Sequence, residues 1–490
     1  MTADIAERNR WLALYVLCGG MLMIVLDATI VNVALPSIQI DLDFSQSNLA
    51  WVVNAYLIAF GGLLLLSGRI GDLIGQRRVF LTGLGVFTLA SLLCAVSQSQ
   101  EMLIAARFIQ GASGAVASAV ILGMIVTLFP QPREQAKAIG VYSFVASAGA
   151  SIGLLAGGIL TEAINWHWIF FVNVPVGIGV ALLAVRLVPN REGIGWDKGA
   201  DIPGAVVLTA GLMIGVYTLL EAGEAGFGSL QTLGLGAVSV ALLAAFVARQ
   251  ARIETPLMPL RLFRSREVTG ANLVMALLVV GFFGMFFLGA LYMQGILEYT
   301  ALEVGLAFLP SCLVMGTLSL GYAEKLVMGF GARRSLITGV SLNAVGLLLF
   351  ARAPVDGTYV TDILPVMLLL GTGAGIAFPA MMTLAMSGAT NEDAGLASGL
   401  VNTTVQVAGA IGLAVLATLA AERTETLAAA GDAAAESLNG GYHLAYLVGA
   451  ALMAIAVGAA LAILKPDERT VDEESADHGS PGGEPVYSEA

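Results

Sequence analysis

GRIGDLIGQRR, residues 68–78, is the stretch on which the fold turns. It holds four charges, Arg69, Asp72, Arg77 and Arg78, in a chain that is only 12% charged. On either side stand apolar runs, near 48–67 and 79–97, each about 20 residues long and so able to cross roughly 30 Å of hydrocarbon. A charged loop between two such runs marks a hairpin of membrane helices. A related stretch, GYAEKLVMGFGARR (Gly321–Arg334), lies far downstream, with Gly75-Gln76-Arg77-Arg78 echoed by Gly331-Ala332-Arg333-Arg334. The second copy is longer and degraded, but its glycine spacing partly recurs along with its charge. That recurrence predicts an internal duplication.

Working outward, fourteen apolar runs are long enough to span: 12–35, 48–67, 79–97, 102–127, 138–161, 168–188, 202–221, 229–248, 268–293, 303–322, 335–353, 361–386, 396–420 and 442–464. The second basic loop follows the tenth run. It occupies the place of the first only if runs seven and eight are an insertion between two blocks of six. The first run contains Asp27 and has no small-residue cleavage site, so it reads as a retained span rather than a signal peptide. Alternate connections hold 20 of the 23 Lys and Arg residues on one side, with Arg352 and Arg423 on the other and Arg107 within a span. Cytoplasmic loops collect Lys and Arg, so both termini are expected in the cytoplasm. The loop at 387–395 is an acidic exception.

The composition fits: 57% hydrophobic residues, 59 Gly and mean hydropathy +0.85. The net charge of −12 argues against a nucleic-acid partner. Much of it lies in residues 465–490, with eight acidic and two basic residues, an acidic tail expected to be disordered. Cys18, Cys94 and Cys312 are far apart, which suggests neither disulfides nor a metal cluster. No Ser-His-Asp set and no phosphate-cradling GxxxxGK[ST] is present, which disfavours a hydrolase and an ATP-driven pump.

Within the spans only Asp27 and Arg107 are plainly ionisable. A charge at membrane depth costs at least about 2.5–3.5 kcal/mol and needs a partner or a water-filled cavity. At 1.5 Å per residue, Asp27 lies roughly 22 Å above the cytoplasmic start of its helix and Arg107 roughly 8 Å below the outer surface. In a core of about 30 Å these depths coincide, so the two are expected to share one polar cavity, as a protonatable pair or a static ion pair. Arg107, Gln110, Gly111, Gly114 and Ser118 fall on one helix face. Gly149, Gly153 and Gly157, with Gly158 beside them, form a groove for close helix packing. Asn32, Asn54, Gln110, Gln294, Asn402 and Gln406 are the candidate cavity residues, each equally able to join helices as to touch cargo. Span nine is rich in Phe and Met, which suits a greasy pocket.

These stretches together resemble a known family, the fourteen-span drug:proton antiporters of the major facilitator superfamily. LDATIVNVALP (Leu26–Pro36), GRIGDLIGQRR, RFIQGASGA (Arg107–Ala115), NWHWIFFVNVPVG (Asn165–Gly177), PLMPLRLFRSR (Pro256–Arg266), LYMQGILEYTALEVGLAFLP (Leu291–Pro310) and AGLASGLVNTTVQVAGAIGLAVL (Ala394–Leu416) carry the resemblance in order. It implies an all-α membrane protein of 14 transmembrane helices: a six-helix bundle over 1–201, two inserted helices over 202–248, a second bundle over 249–464 and the tail. It also implies rocker-type exchange driven by the proton gradient, without cofactor or metal. Asp27 and Arg107 would couple protons. Gly68, Arg69, Asp72, Gly75, Arg77 and Arg78 would form a conformational latch, and Gly149, Gly153, Gly157 and Gly158 the antiporter-type helix packing. Two departures stand out: Leu154 where that family usually has Pro, and Trp166-His167-Trp168 where it often has Trp-Arg-Trp. The expected function is export of amphipathic or aromatic small molecules from a bacterial-type plasma membrane by a monomer in contact with lipid. Export of one endogenous metabolite, or a non-transporting scaffold or sensor, are the alternatives.

Overall fold

The computed structural model describes residues 2–190, 192–193, 195, 200–226, 228–254, 256–258, 260–322, 325, 329–387 and 394–464. The acidic tail, the core of the acidic loop at 388–393 and part of the second basic loop lie outside the described residues. Every long element is a helix, because a chain in hydrocarbon must satisfy its backbone hydrogen bonds internally. In order they are α1 (Thr2–Leu42), α2 (Trp51–Ile74), α3 (Gln76–Ala95), α4 (Gln100–Leu128), α5 (Pro132–Ala163), α6 (Asn173–Leu187), α7 (Ile202–Ala225) and α8 (Leu230–Gln250). There follow α9 (Arg266–Gly295), α10 (Ala301–Gly321), α11 (Ala332–Phe350), α12 (Leu364–Ser387), α13 (Ala394–Ala430) and α14 (Ala434–Ile463).

Among the described residues, twelve helices are long and apolar enough to cross a membrane; α11 and α5, with its shorter apolar piece Ile152–Ala163, are the others. The outer perimeter bears exposed apolar side chains such as Leu89, Leu182, Val240 and Ile455. A water-facing surface would not tolerate that stripe, and lipid does. The protein is a multi-pass membrane protein. Helix ends differ from the sequence expectation at several places, among them α13, which runs on to Ala430, and α14, which begins at Ala434. Helix α1 begins near the N-terminus, well before residue 12. The sixth run breaks into a turn at Trp168–Phe171 before α6, and the twelfth opens with a π turn at Tyr359–Ile363.

The duplication is visible in the packing. Pairs α1–α5, α1–α6, α2–α4, α3–α4 and α3–α6 recur as α9–α13, α9–α14, α10–α12, α11–α12 and α11–α14, and the cross-contact α5–α10 recurs as α13–α2. Gly75 and Gly331 sit at matched positions, with φ of 103° and 88° before α3 and α11. That backbone is open mainly to glycine. The arginine two residues later does the same work in each copy. Arg77 donates to the carbonyl of Val185 near the end of α6, and Arg333 to those of Ala460 and Leu461 near the end of α14. The last carbonyls of a helix have no intrahelical donor and carry partial negative charge, so a cation there is favoured. The end of the molecule carrying these arginines is called the basic end below.

Helices α7 and α8 stand outside this pattern: α7 lies against α2 and α13, and α8 against α7. At the basic end Asp201 caps α7, accepting from Gly204 N at 2.9 Å, Arg249 Nε at 2.7 Å and Gln250 Nε2 at 2.7 Å. Burial pushes this carboxyl up, but the Arg249 and Gln250 side chains and the Gly204 N–H outweigh it and hold the group below its usual value near 3.8. A depressed folded-state value stabilises the fold above the unfolded value and loses that contribution as pH falls through the folded one. The difference in melting temperature between wild type and Asp201→Asn is therefore expected to be constant from neutral pH to about 5 and to shrink on further acidification. A gap that widens below that range would contradict this.

Candidate functional site

Five helices converge on one buried cluster. On α4, a Cβ added to Gly111 would lie 2.2 Å from the carbonyl oxygen of Tyr56, so α4 and α2 touch backbone to backbone. One turn earlier on α4, Arg107 therefore reaches α2, where its Nε donates to the Val52 carbonyl at 3.0 Å. From α1 comes Asp27, whose Oδ2 accepts from Arg107 Nη1 at 2.6 Å. Asp27 Oδ1 accepts from Gln110 Nε2 and from Asn173 Nδ2, both at 2.7 Å. Gln110 Oε1 accepts from Arg107 Nη1 at 2.6 Å, and its Nε2 also reaches Ser91 Oγ of α3 at 2.8 Å. The guanidinium is covered by the ring of Tyr56, 4.4 Å from Cζ, with Phe170 at 5.7 Å.

Asp27 is 0% and Arg107 1% exposed. The expectation of a shared polar cavity thus resolves into a closed, hydrogen-bonded cluster. Each buried charge carries a desolvation penalty of several kcal/mol, offset here by the mutual attraction and by the neutral donors and acceptors around the pair. Three donors point at the carboxylate, two at Oδ1 and one at Oδ2, which leaves a lone pair of Oδ2 for a proton; protonation there removes the negative charge that holds the Arg107 guanidinium. Arg107 has partners to fall back on in the Val52 carbonyl and the Tyr56 ring.

The sequence reading omitted Asn173, Ser91, Tyr56 and Phe170. Asn173 lay inside the quoted NWHWIFFVNVPVG stretch, and its position at the first turn of α6 after the break is what turns it toward Asp27. Asn173→Leu leaves one of the three donors missing and is expected to cost about 1–3 kcal/mol. A thermal melt of the purified protein that matches wild type would contradict that role.

The other candidates disperse. Gln110 belongs to the charge cluster. Asn54 is fully buried on α2 with its amide nitrogen and oxygen unpartnered. Asn32 donates to the Ala28 and Thr29 carbonyls of its own helix. Gln294 of α9 donates to the Val33 carbonyl of α1 at 2.8 Å. Asn402 is exposed, whereas Gln406 is half-buried on α13 with its side chain against Gly61 of α2. Gly149, Gly153 and Gly157 face Val25, Leu26 and Ile30 of α1, while Gly158 faces Ala301 and Leu302 of α10. Leu154 keeps α5 free of an internal proline, and its carbonyl meets Gly305 of α10. Among the residues expected to form a latch, Asp72 accepts from Gln76 at 3.5 Å while Arg77 turns to α6, Gly68 faces open space and Arg78 is exposed; Gly71 beside them packs on Val120.

The Major Facilitator Superfamily pattern matches residues 17–413. The chain is 39% identical over 473 residues to a puromycin resistance protein of Streptomyces alboniger, covering 95% of this chain and 93% of that one. It is 38% identical over 414 residues to a cephamycin export protein of Amycolatopsis lactamdurans, covering 84% and 85%. Among solved structures, a bacterial homolog of the human lysosomal transporter Spinster, in an inward-facing conformation, shares the fold with a TM-score of 0.65 at 16% identity, covering 92% of this chain and 96% of that one. With a buried intramembrane ion pair in a duplicated helical frame, the chain belongs to the Major Facilitator Superfamily and is a secondary transporter that exports small molecules, not an enzyme.

Proposed function

We propose that the protein is a proton-coupled antiporter that expels amphipathic or aromatic small molecules, antibiotics among them, across a bacterial-type plasma membrane. The observation that carries this reading is the Asp27–Arg107 pair, buried within 2.6 Å and ringed by Gln110, Asn173 and the Val52 carbonyl. A carboxylate at membrane depth is a proton-pathway group by default, and its proton uptake is balanced by release of its cation. Protonation of Asp27 frees Arg107 to the Val52 carbonyl and the Tyr56 ring, and α1 loosens from α4. Deprotonation restores the clasp.

In this reading α1–α6 (within residues 1–201) and α9–α14 (within 249–464) are two six-helix bundles that rock about the cargo, with α7 and α8 (202–248) inserted. All fourteen helices cross the membrane, the basic end and both termini face the cytoplasm, and the proton gradient drives the cycle without cofactor or metal. The protein works as a monomer in lipid. Asn32, Asn54, Gln294, Asn402 and Gln406 are the polar groups available to cargo.

A narrower variant is favoured by the relatives above, which are named for resistance to puromycin and for export of cephamycin, one antibiotic type each. Expression in a pump-deficient host challenged with these antibiotics and with ethidium separates the two: protection against one compound alone marks a dedicated exporter, protection against several a broad one. Efflux that persists at full rate after an uncoupler collapses the proton gradient overturns proton coupling.

A further inference from the structure

Helix α7 crosses the seam between the two repeats obliquely. Near the basic end it lies on α2: a Cβ at Gly62 would meet Thr209 Oγ1 at 2.5 Å, and Ala205 packs with Leu66. Toward the opposite end it lies on α13, where Thr418 Oγ1 donates to the Leu219 carbonyl at 3.0 Å. One helix is thus attached to a member of each repeat at different depths.

The basic end of α7 is fastened by Asp201, whose side chain is fully buried and receives Arg249, Gln250 and the Gly204 N–H. Gln250 passes the attachment on, since its Oε1 accepts from Met258 N at 3.2 Å. The chain leaving α8 therefore starts its path to α9 bonded to the same cluster. Leu257 then packs with Leu66 of α2 and Ala205 of α7, and Leu262 with Val268 of α9 and Leu400 of α13. The connection touches the first repeat, then the second, within a few residues.

We propose that Asp201 is a positioning residue of the transport cycle: by fixing α7 and, through Gln250, the α8–α9 connection, it sets how far the α2–α13 seam parts at the basic end. A rocking motion that separates Leu65 from Gly399 must stretch this connection or shift α7, and the clasp resists both. Without it, α7 stays on α13 through Thr418 and lets α2 swing away. The inference rests on the reading of the two repeats as bodies that rock.

The seam supplies its own reporter. A Cβ at Gly399 would lie 2.8 Å from Leu65 Cδ2, so Leu65→Cys and Gly399→Cys place thiols at touching positions of the seam and are expected to cross-link under oxidant while the two helices stay in contact. The native cysteines, Cys18, Cys94 and Cys312, are buried and not disulfide-bonded. In membrane vesicles treated with an oxidant, adding Asp201→Ala is expected to slow cross-linking about tenfold, the effect of shifting an opening equilibrium by roughly 1.4 kcal/mol. Gln250→Ala, which leaves the Arg249 bond in place, is expected to slow it less, and Asp201→Glu to restore part of the rate. Cross-linking at the unmodified rate in both alanine variants, with a lowered melting temperature, would reduce Asp201 to a local helix cap and overturn the proposal. Should Asp201→Ala fail to accumulate, Gln250→Ala decides by the same criterion. The readout needs neither cargo nor a proton gradient. A chain that ignores dyes and uncouplers would sink the antiporter reading and leave this result standing, and the reverse holds equally.

Discussion

Asp27→Asn is expected to reduce proton-driven efflux to background while the protein still inserts in the membrane. Asparagine is nearly isosteric and can still accept from Arg107, so the change is electrical and directional rather than one of volume. Its amide nitrogen is a donor set among donors: depending on how the side chain turns, either Arg107 or both Gln110 and Asn173 meet an N–H where they met an oxygen. Arg107 is left buried without a countercharge, a loss of roughly 3–5 kcal/mol when one partner of a buried pair is removed. More decisively, among the described residues no other carboxylate joins the cluster to take up and release a proton. The measurement is dye efflux from vesicles after an imposed pH step, scaled to the amount of folded protein. Efflux at the wild-type rate would remove Asp27 from the mechanism.

Gly111→Ala is the second change with a large expected effect. Its Cβ would lie 2.2 Å from the Tyr56 oxygen and 2.8 Å from that residue's carbonyl carbon and Cα. These are backbone atoms of a packed helix, so no side chain can swing aside and α4 must separate from α2. Overpacking of this kind costs about 1–3 kcal/mol in an ordinary core. The displacement also falls one turn from Arg107 and lengthens its bond to the Val52 carbonyl. The expected result is a lower melting temperature together with lost transport per folded molecule. Retention of both would mean that the helices are less closely apposed than described.

The pairing of Asp27 with Arg107 was legible because two intramembrane charges have few alternatives, and 1.5 Å per residue fixes their depth. Gln110 was legible as part of Arg107's helix face, though its letter alone fits a helix-joining residue or a cargo contact equally well. Asn173 was not, because it is neutral and because depth arithmetic assumes a continuous helix where the chain breaks before α6. The duplicated loop announced two repeats, and the family resemblance placed a latch around Asp72. Which helix end lies beside Arg77 is a matter of tertiary packing, and the unmet carbonyl of Val185 is invisible in a string of letters. The oblique course of α7 had no signal at all, since its apolar residues encircle it.

The contacts between the two repeats differ in kind from those within them. Arg77 and Arg333 each bind carbonyls of their own repeat, whereas Gly61 against Gln406, Gly158 against Ala301 and Gly305 against Leu154 join the repeats by close approach, with Gln294 to the Val33 carbonyl and the Leu302 N–H to Glu162 as directed bonds beside them. Surfaces held by proximity can slide or part with little breakage, whereas surfaces held by directed bonds move as a piece. The molecule is thus articulated like a hinge with stiff leaves and a smooth joint, and substitutions that roughen the joint should slow its motion without softening either leaf.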